Sequence, residues 1–274
     1  MKKKTKYWIA AGLIGTAVAL SALDARLVVR RYTIATDKLR GLVRVALITD
    51  LHSCRYGEGQ SQLLSALEEA APDLVLLGGD IFDDELPADP AMTFLKGAVK
   101  QYPCYYVTGN HEYWTGRVPE IKAYLAGLGV QVLDGDCVVV QVRGETVNLC
   151  GVDDPEGGES AFSRQLEQTA QGRQAGAYTL LLSHRPERMG QYASGGFDLV
   201  LAGHAHGGQW RIPGLINGLF APDEGLCPGH AGGLYDIGGS QLLVSRGLAR
   251  ESTRLPRIWN RPELVVVDLV PQVE

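Results

Sequence analysis

The stretch "LVLAGHAHGGQ", residues 199–209, places two histidines directly after a short apolar run. The run at 199–201 is typical of a buried strand. His204 and His206 follow it, in a chain that has six histidines. Because buried polar groups are almost always paired, two imidazoles at a strand end need polar partners. The positions of the other polar residues therefore decide what this stretch does.

Apolar runs alternate with helix-period segments along most of the chain. Strands are predicted at 43–49, 73–79, 104–109, 130–133, 137–142, 146–152, 178–184, 197–203, 240–245 and 263–270. Helices are predicted at 61–70, 91–100, 118–128 and 160–171. A hairpin turn is predicted at Arg143-Gly144, between two of the strands. The pattern indicates an α/β domain with enough strands for two sheets.

Polar side chains follow five of these strands at the point where each strand ends. The stretches are "ITDLHS", "LGGDIFDD", "VTGNHEYW", "LLLSHRPE" and "LAGHAHGG". They contain Asp50, His52, Asp80, Asn110, His111, His184, His204 and His206. Ligands bind at the carboxyl ends of strands in open α/β sheets, so these residues are predicted to converge at one edge.

The converging set predicts a metal centre. Carboxylates and imidazoles without a cysteine suit Mn, Fe, Zn or Ni. The set has too many ligands for one ion, and Asp80 is the predicted bridge between two. Two divalent ions about 3.5–4 Å apart clamp a phosphoryl group and generate a hydroxide.

The ordered blocks "DLH", "GGD", "GNHE", "SH" and "GHAH" across residues 50–206 resemble the calcineurin-like metallophosphoesterases. The later stretches "HGGQWRIP" and "RPELVVVDL" look like the membrane-associated branch of that family, which carries an N-terminal anchor. The resemblance implies the metallo-dependent phosphatase fold, a two-sheet β-sandwich flanked by helices. It also implies two divalent transition-metal ions as cofactors.

The resemblance further implies a role for each residue of the motifs. A first ion would be held by Asp50, His52, Asp80 and His206. A second ion would be held by Asp80, Asn110, His184 and His204. The catalytic residue would be His111, which would face the scissile phosphate as a general acid or charge stabiliser. Glu112 would orient His111 from behind.

Two classes of function follow from these residues. The first is a hydrolase of phosphomonoester, phosphodiester or pyrophosphate bonds, and the second is a non-catalytic metal-binding or interaction module on the same fold. For the hydrolase, the membrane branch implies a membrane lipid or lipid precursor such as UDP-2,3-diacylglucosamine, with a nucleotide or protein phosphate as the alternative. No nucleic-acid partner is expected, because the net charge is −5 and no long basic run follows the N-terminus.

The N-terminus is predicted to be separate from the domain. Residues 1–6 are basic, and residues 7–23 contain no charge. Seventeen residues of helix measure roughly 25 Å, the short end of a membrane span. We therefore predict a transmembrane helix at 7–23 with a catalytic domain outside the cytoplasm, and a cleaved signal peptide as the alternative. A linker at 24–40 would join it to the phosphoesterase domain at 41–274.

The cysteines and several acidic residues outside the motifs are predicted to have structural roles rather than roles in the metal centre. The five cysteines form no CxxC pair and are predicted to be free. Asp83, Asp84 and Glu85 are predicted to form a solvated loop. Asp153 and Asp154 are predicted to be turn formers.

Overall fold

The computed structural model describes residues 3–250 and 256–272, with side chains from residue 12 in the N-terminal helix. Its helices are α1 (Lys3–Ala22), α2 (Ser61–Ala70), α3 (Asp89–Ala98), α4 (Asn110–Trp114), α5 (Val118–Gly127), α6 (Glu159–Gln168) and α7 (Met189–Tyr192). Its strands are β1 (Val28–Thr36), β2 (Val43–Ile48), β3 (Leu74–Gly78), β4 (Cys104–Val107), β5 (Gln131–Val132), β6 (Cys137–Val142), β7 (Glu145–Gly151), β8 (Tyr178–Leu182), β9 (Leu199–Ala202), β10 (Phe220–Ala221), β11 (Gly225–Leu226), β12 (Gly233–Asp236), β13 (Gln241–Val244) and β14 (Glu263–Pro271).

Twelve of these strands form two six-stranded sheets. The first has the order β1-β14-β2-β3-β4-β5, and the second has the order β12-β13-β9-β8-β7-β6. Strands β2 to β5 are parallel, as are β7, β8, β9 and β13. Parallel neighbours end at the same edge, so each sheet presents the carboxyl ends of several strands together.

The two sheets pack face to face around an apolar layer. Leu47 and Leu76 of the first sheet and Leu180 and Leu201 of the second belong to this layer, and all are fully buried. Helices α2, α3 and α5 cover the outer face of the first sheet, and α6 and α7 cover that of the second. The predicted α/β fold, a two-sheet sandwich flanked by helices, is therefore confirmed.

The predicted elements agree closely with the structure inside the domain. Helix α2 has the predicted bounds, and the β6–β7 hairpin turns at the predicted Arg143 and Gly144, with φ of 49° and 87°. The linker predicted at 24–40 is wrong, because strand β1 lies within it and pairs with β14 along its whole length. Strand β1 is an edge strand with Arg30 and Arg31 exposed, so it lacks the apolar run that marks the inner strands.

Helix α1 covers most of the segment predicted as a membrane anchor. Within residues 3–250 and 256–272, no helix is long and apolar enough to cross a bilayer. The membrane span at 7–23 therefore stays a prediction.

The prediction that all cysteines are free is wrong for two of them. Cys137 and Cys150 are register partners in the β6–β7 hairpin, with Cα atoms 3.9 Å apart, and they form a disulfide. The hairpin places the two thiols opposite each other although thirteen positions separate them in sequence. The disulfide closes the hairpin at its open end.

Candidate metal centre

The predicted site residues lie together at the carboxyl edge of the two sheets. Five strands lead into it, namely β2, β3, β4, β8 and β9. The residues that follow them are Asp50 and His52, Asp80, Asn110 and His111, His184, and the pair His204 and His206. Every predicted metal ligand is buried, as expected for groups that face one another rather than solvent.

The backbone at this edge is strained where the ligands are carried. Left-handed φ values between 46° and 66° occur at Asp50, His52, Asp80, His204 and His206. Such a conformation costs a residue other than glycine about 1–3 kcal/mol and persists only where the surroundings enforce it. Hydrogen bonds between the loops accompany it here: the N–H of His52 donates to the carbonyl of Asp80, and the N–H of His204 donates to Asp50 Oδ1, each at 2.9 Å. The fold thus places these five side chains at a cost in stability.

The ligand atoms form two adjoining groups. In each group the atoms lie within 4.8 Å of one another. The first group is Asp50, His52, Asp80 and His206, and the second is Asp80, His184 and His204. Asp80 belongs to both groups, and its Oδ2 lies 3.2 Å from His184 Nε2 and 3.5 Å from His52 Nε2. The arrangement has the form of two cation sites that share one carboxylate.

Unpaired buried atoms indicate that the groups are built for cations. Among the described residues, six buried side-chain atoms of the site make no well-directed hydrogen bond, although two of them, Asp80 Oδ2 and His184 Nε2, lie 3.2 Å apart: Asp50 Oδ2, His52 Nε2, Asp80 Oδ2, Asn110 Oδ1, His184 Nε2 and His206 Nδ1. An unpaired buried polar group costs about 1–3 kcal/mol, so six in one place need an explanation. All six have lone pairs that a divalent ion accepts, and the residues therefore fit the two-metal centre.

The buried carboxylates and imidazoles of the site shift one another's pKa values. Burial would raise the pKa of Asp80, but the imidazoles of His184, His52 and His111 hold it well below its usual range. Burial disfavours the charged form of His184, but Asp80 and Asp50 outweigh it and raise its pKa to about 10. Burial and the nearby His52 imidazole lower the pKa of His206 well below its usual range. Bound cations would take the place of the imidazole protons that the Asp80 and Asp50 carboxylates stabilise in the metal-free site.

Side chains behind the ligands fix the imidazole rings. The Nδ1 of His184 lies 2.8 Å from the carbonyl oxygen of Gly78, and the Nδ1 of His52 lies 3.0 Å from Asp83 Oδ2. The prediction that Asp83 belongs to a solvated loop is wrong, because its side chain is buried against His52. A partner on one ring nitrogen sets the tautomer and leaves the other nitrogen for an ion.

Glu112 does not have the contacts predicted for it. It was expected to orient His111, but its carboxylate accepts hydrogen bonds from the backbone N–H groups of Asp80, Ile81, Phe82 and Gly109, at 2.7–3.0 Å. Burial and the Asp80 carboxylate raise the pKa of Glu112 to about 7. The physical reason is that Glu112 lies in the first turn of α4 and faces the Asp80 loop, so it shapes the loop that carries the shared carboxylate.

His111 lies at the rim of the site, outside the two groups that share Asp80; with His52 and Asp83 it forms a third group whose ligand atoms also lie within 4.8 Å of one another. Its backbone N–H donates to Asp80 Oδ1 at 2.9 Å, and its Nδ1 lies 2.6 Å from Asp84 Oδ1. The ring is 4.2 Å from the ring of His52 and 4.5 Å from that of Trp114. Asp84, which was predicted to be solvated, is thus the carboxylate that holds the His111 ring.

A cavity of about 600 Å³ opens over the ligands. His111, Trp114, Arg185 and Asp223 are among its lining residues. The volume lies in the range of small-molecule sites, about 300–1,000 Å³. The ligands therefore face a space large enough for a phosphate ester with a bulky substituent.

Sequence reasoning missed an ion network on one wall of this cavity, in which Arg185 and Asp154 are buried and Asp223 is exposed. Arg185 donates to both carboxylate oxygens of Asp154, at 2.6 and 2.9 Å, and also pairs with Asp223. The Oδ2 of Asp223 lies 2.9 Å from His204 Nε2. Asp154 was predicted as a turn former, and it does accept from the N–H of Glu156, but its main partner is Arg185. The "SHRPE" motif showed Arg185 beside His184, whereas no local pattern pointed to Asp223.

Several known proteins with similar sequences are named as metallophosphoesterases. A Helicobacter pylori metallophosphoesterase is 30% identical over 229 residues, which cover 81% of this chain and 59% of that protein. The phosphodiesterase YaeI of Escherichia coli is 28% identical over 233 residues, 83% of this chain and 82% of YaeI. A Bos taurus transmembrane protein with a metallophosphoesterase domain is 28% identical over 181 residues, 61% of this chain and 41% of that protein. The chain thus spans less than two thirds of the Helicobacter and Bos relatives.

The calcineurin-like phosphoesterase family model matches residues 43–208. This range contains all five motif blocks, both ligand groups and most of the two sheets. Members of the family use two divalent metal ions, in agreement with the two groups that share Asp80. The chain belongs to the calcineurin-like phosphoesterases, a family of metal-dependent hydrolases.

Proposed function

We propose that this protein hydrolyses a phosphodiester or pyrophosphate bond of a membrane-associated substrate, with two divalent ions held around Asp80. The observation that carries the proposal is the convergence of six unpaired buried ligand atoms beneath a cavity of about 600 Å³. A non-catalytic module would have no use for a strained, unsatisfied ligand set that opens onto such a cavity.

Each residue then has a defined task. The first ion would be held by Asp50, His52, Asp80 and His206, and the second by Asp80, Asn110, His184 and His204. When bound, the ions supply Lewis acidity for the phosphoryl oxygens and activate water. Arg185 is fixed at the cavity wall by Asp154 and Asp223, where a guanidinium complements substrate charge.

His111 is proposed as the group that assists departure of the leaving oxygen. Its ring lies at the cavity rim, partly exposed, with Asp84 on Nδ1. The Asp84 carboxylate at Nδ1 holds the ring in one orientation and leaves Nε2 as the nitrogen that can serve the leaving oxygen. A positioned acid of this kind accelerates such reactions by about 10²–10⁴.

The proposal of a membrane-associated substrate rests on three features. Helix α1 is uncharged from Tyr7 onward, and its described side chains are largely exposed. The Cys137–Cys150 disulfide suits an oxidising compartment outside the cytoplasm. The Bos taurus relative is named as a transmembrane protein. Lipid precursors such as UDP-2,3-diacylglucosamine, and phospholipid head groups, are the substrates that we propose first.

A substrate panel with metal analysis tests the proposal. The purified full chain, loaded with Mn, Fe, Zn or Ni, is assayed on bis-p-nitrophenyl phosphate, p-nitrophenyl phosphate, UDP-2,3-diacylglucosamine and a soluble nucleotide sugar. We expect hydrolysis of a diester or pyrophosphate that disappears with chelator and returns with metal. Metal-loaded protein that hydrolyses nothing in the panel would contradict the proposal.

A further inference from the structure

An exposed apolar surface lies beside the mouth of the cavity. Within residues 210–226, five large apolar side chains are exposed, namely Trp210, Ile212, Leu215, Phe220 and Leu226. Leu215 is 79% exposed and Leu226 is 75% exposed. Single exposed leucines are ordinary, but five in one segment of seventeen residues mark an interaction surface. We refer to these five residues as the apolar loop.

Strands β10 and β11 give the apolar loop a defined face. Phe220 and Leu226 are register partners, so their side chains project from the same side of this small hairpin. Ala221 points to the opposite side and is fully buried. The hairpin is thus anchored on one side and presents a pair of apolar side chains on the other.

The turn of the same hairpin enters the candidate site. Pro222 and Asp223 lie between β10 and β11, and both line the cavity. Asp223 contacts His204 and Arg185 there. The exposed apolar pair and the cavity wall therefore belong to one short segment, and whatever binds the apolar face lies next to the cavity mouth.

A series of backbone contacts joins the apolar loop to the N-terminal helix. The N–H of Trp259 donates to the carbonyl of Ala22, the last residue of α1, at 2.7 Å. The neighbouring Ile258 accepts from the N–H of Arg211 at 2.9 Å. Leu219, next to the hairpin, donates to the carbonyl of Trp210 at 2.9 Å. The end of α1 and the apolar loop therefore lie on one side of the molecule.

Helix α1 indicates what covers this side. Its described side chains at residues 12–21 are exposed, and Leu13 and Leu20 are 67% and 71% exposed. Three arginines, Arg26, Arg30 and Arg31, follow α1 at the end that adjoins the domain. An apolar surface beside an apolar helix and these arginines is complementary to anionic lipid.

We infer that the apolar loop inserts into the surface of an anionic bilayer and holds the cavity mouth against the lipid head groups. This inference rests on the proposed function, since it assigns the surface from which that site draws its substrate. It adds a second membrane contact, made by the domain itself, to the proposed N-terminal anchor.

A probe on Cys227 tests the inference in the full chain. Cys227 follows Leu226 and is exposed, whereas Cys54 and Cys104 are buried, so an environment-sensitive NBD label reacts selectively at the loop. On mixing with phosphatidylcholine–phosphatidylglycerol vesicles, we expect a several-fold rise in emission with a blue shift, and quenching by nitroxide-labelled lipid. Protein that sediments with the vesicles while the probe stays in water would show that α1 binds alone and would overturn the inference. Absence of vesicle binding would overturn it too.

Two variants complete the experiment. Leu215→Ser with Leu226→Ser should lower vesicle affinity about tenfold, because two apolar side chains no longer enter the lipid. Val139→Ser, at an apolar position that is 42% exposed on β6 at the far edge of the second sheet, should change it little. Equal vesicle affinity of the double variant and the wild type would contradict the inference. So would a blue-shifted rise in NBD emission that occurs without vesicles and grows with protein concentration, because it would show that a second copy of the chain covers the apolar loop.

The outcome is separable from that of the proposed function. Vesicle binding is measured without turnover, and neither leucine is a predicted ligand or lines the cavity. Hydrolysis of soluble bis-p-nitrophenyl phosphate should therefore stay within about twofold of wild type in the double variant. Inactivity of the wild-type chain on every diester would contradict the proposed reaction. The inference about the apolar loop would still be tested by the NBD emission, which does not depend on turnover.

Discussion

The Nδ1 of His52 lies 3.0 Å from the Oδ2 of Asp83, and both side chains are buried. The other oxygen of Asp83 accepts from the backbone N–H groups of Glu85 and Leu86, so the carboxylate cannot turn away. The ring nitrogen that faces the candidate metal centre is Nε2, which has no hydrogen-bond partner among the described residues. Asp83 therefore sets which nitrogen of His52 is available to an ion.

Replacing Asp83 tests this positioning role. In Asp83→Asn, the Oδ1 contacts can remain while an amide NH₂ faces His52 Nδ1, so the favoured tautomer is lost. We expect affinity for the ion of the first group to fall about 10–100-fold, as is typical for partners of metal-binding histidines. Competitive metal titration against a chelating dye measures the change. Asp84→Asn is the matched control, because Asp84 contacts His111 instead, and unchanged affinity in Asp83→Asn would refute the role.

Glu112 should matter for the folding of the site. Its carboxylate accepts four backbone N–H groups of the Asp80 and Gly109 loops. In Glu112→Gln, the side-chain NH₂ would face backbone N–H groups that need an acceptor, so some of these hydrogen bonds are lost. We expect the free energy of unfolding to fall by about 2–4 kcal/mol. Denaturant unfolding of metal-free protein measures this. The exposed Glu120→Gln serves as control, and equal stability of the two variants would argue against the assignment.

His111 should be separable from the ligands. His111→Ala is expected to keep both ions and to slow turnover by about 10²–10⁴. The loss should shrink for substrates with good leaving groups such as p-nitrophenolate, which need little protonation. His204→Ala should instead lose metal and rate together. If His111→Ala loses metal as His204→Ala does, His111 is a ligand and not the acid.

The strand-end residues could be predicted from sequence because their signal is local. An apolar run followed by Asp80, or by the pair His204 and His206, predicts both a buried strand and the polar residues at its end. Parallel strands then bring these ends together whatever lies between them. The convergence of the ligands was therefore predictable although they span more than 150 positions.

The partners behind the ligands could not be predicted in this way. Asp83 and Asp223 reach His52 and His204 from loops whose path depends on tertiary packing. Acidic residues in loops are usually solvated, so the sequence pattern favoured the wrong interpretation for Asp83. Strand β1 was missed for a related reason, since an edge strand is marked by pairing rather than by apolar content.

The disulfide had a signal that sequence analysis did not use. A two-residue turn at Arg143-Gly144 pairs Val142 with Glu145 and, continuing outward, Cys137 with Cys150. We expect unreduced, denatured protein to contain three reactive thiols, from Cys54, Cys104 and Cys227, and five after reduction. Thiol titration with Ellman's reagent decides this. Five thiols without reductant, in protein purified from an oxidising compartment, would contradict the disulfide and weaken the proposed location of the domain.

The metal content of the purified chain tests the central claim most directly. After loading with Mn and removal of free ion, elemental analysis should approach two ions per chain in wild type and in Asp136→Ala, an exposed carboxylate away from the site. Asp80→Ala should lose both ions, because Asp80 belongs to both ligand groups and its Oδ2 faces His52 and His184. One ion or none in wild type, or an Asp80→Ala variant that keeps two, would contradict a two-metal centre built around Asp80.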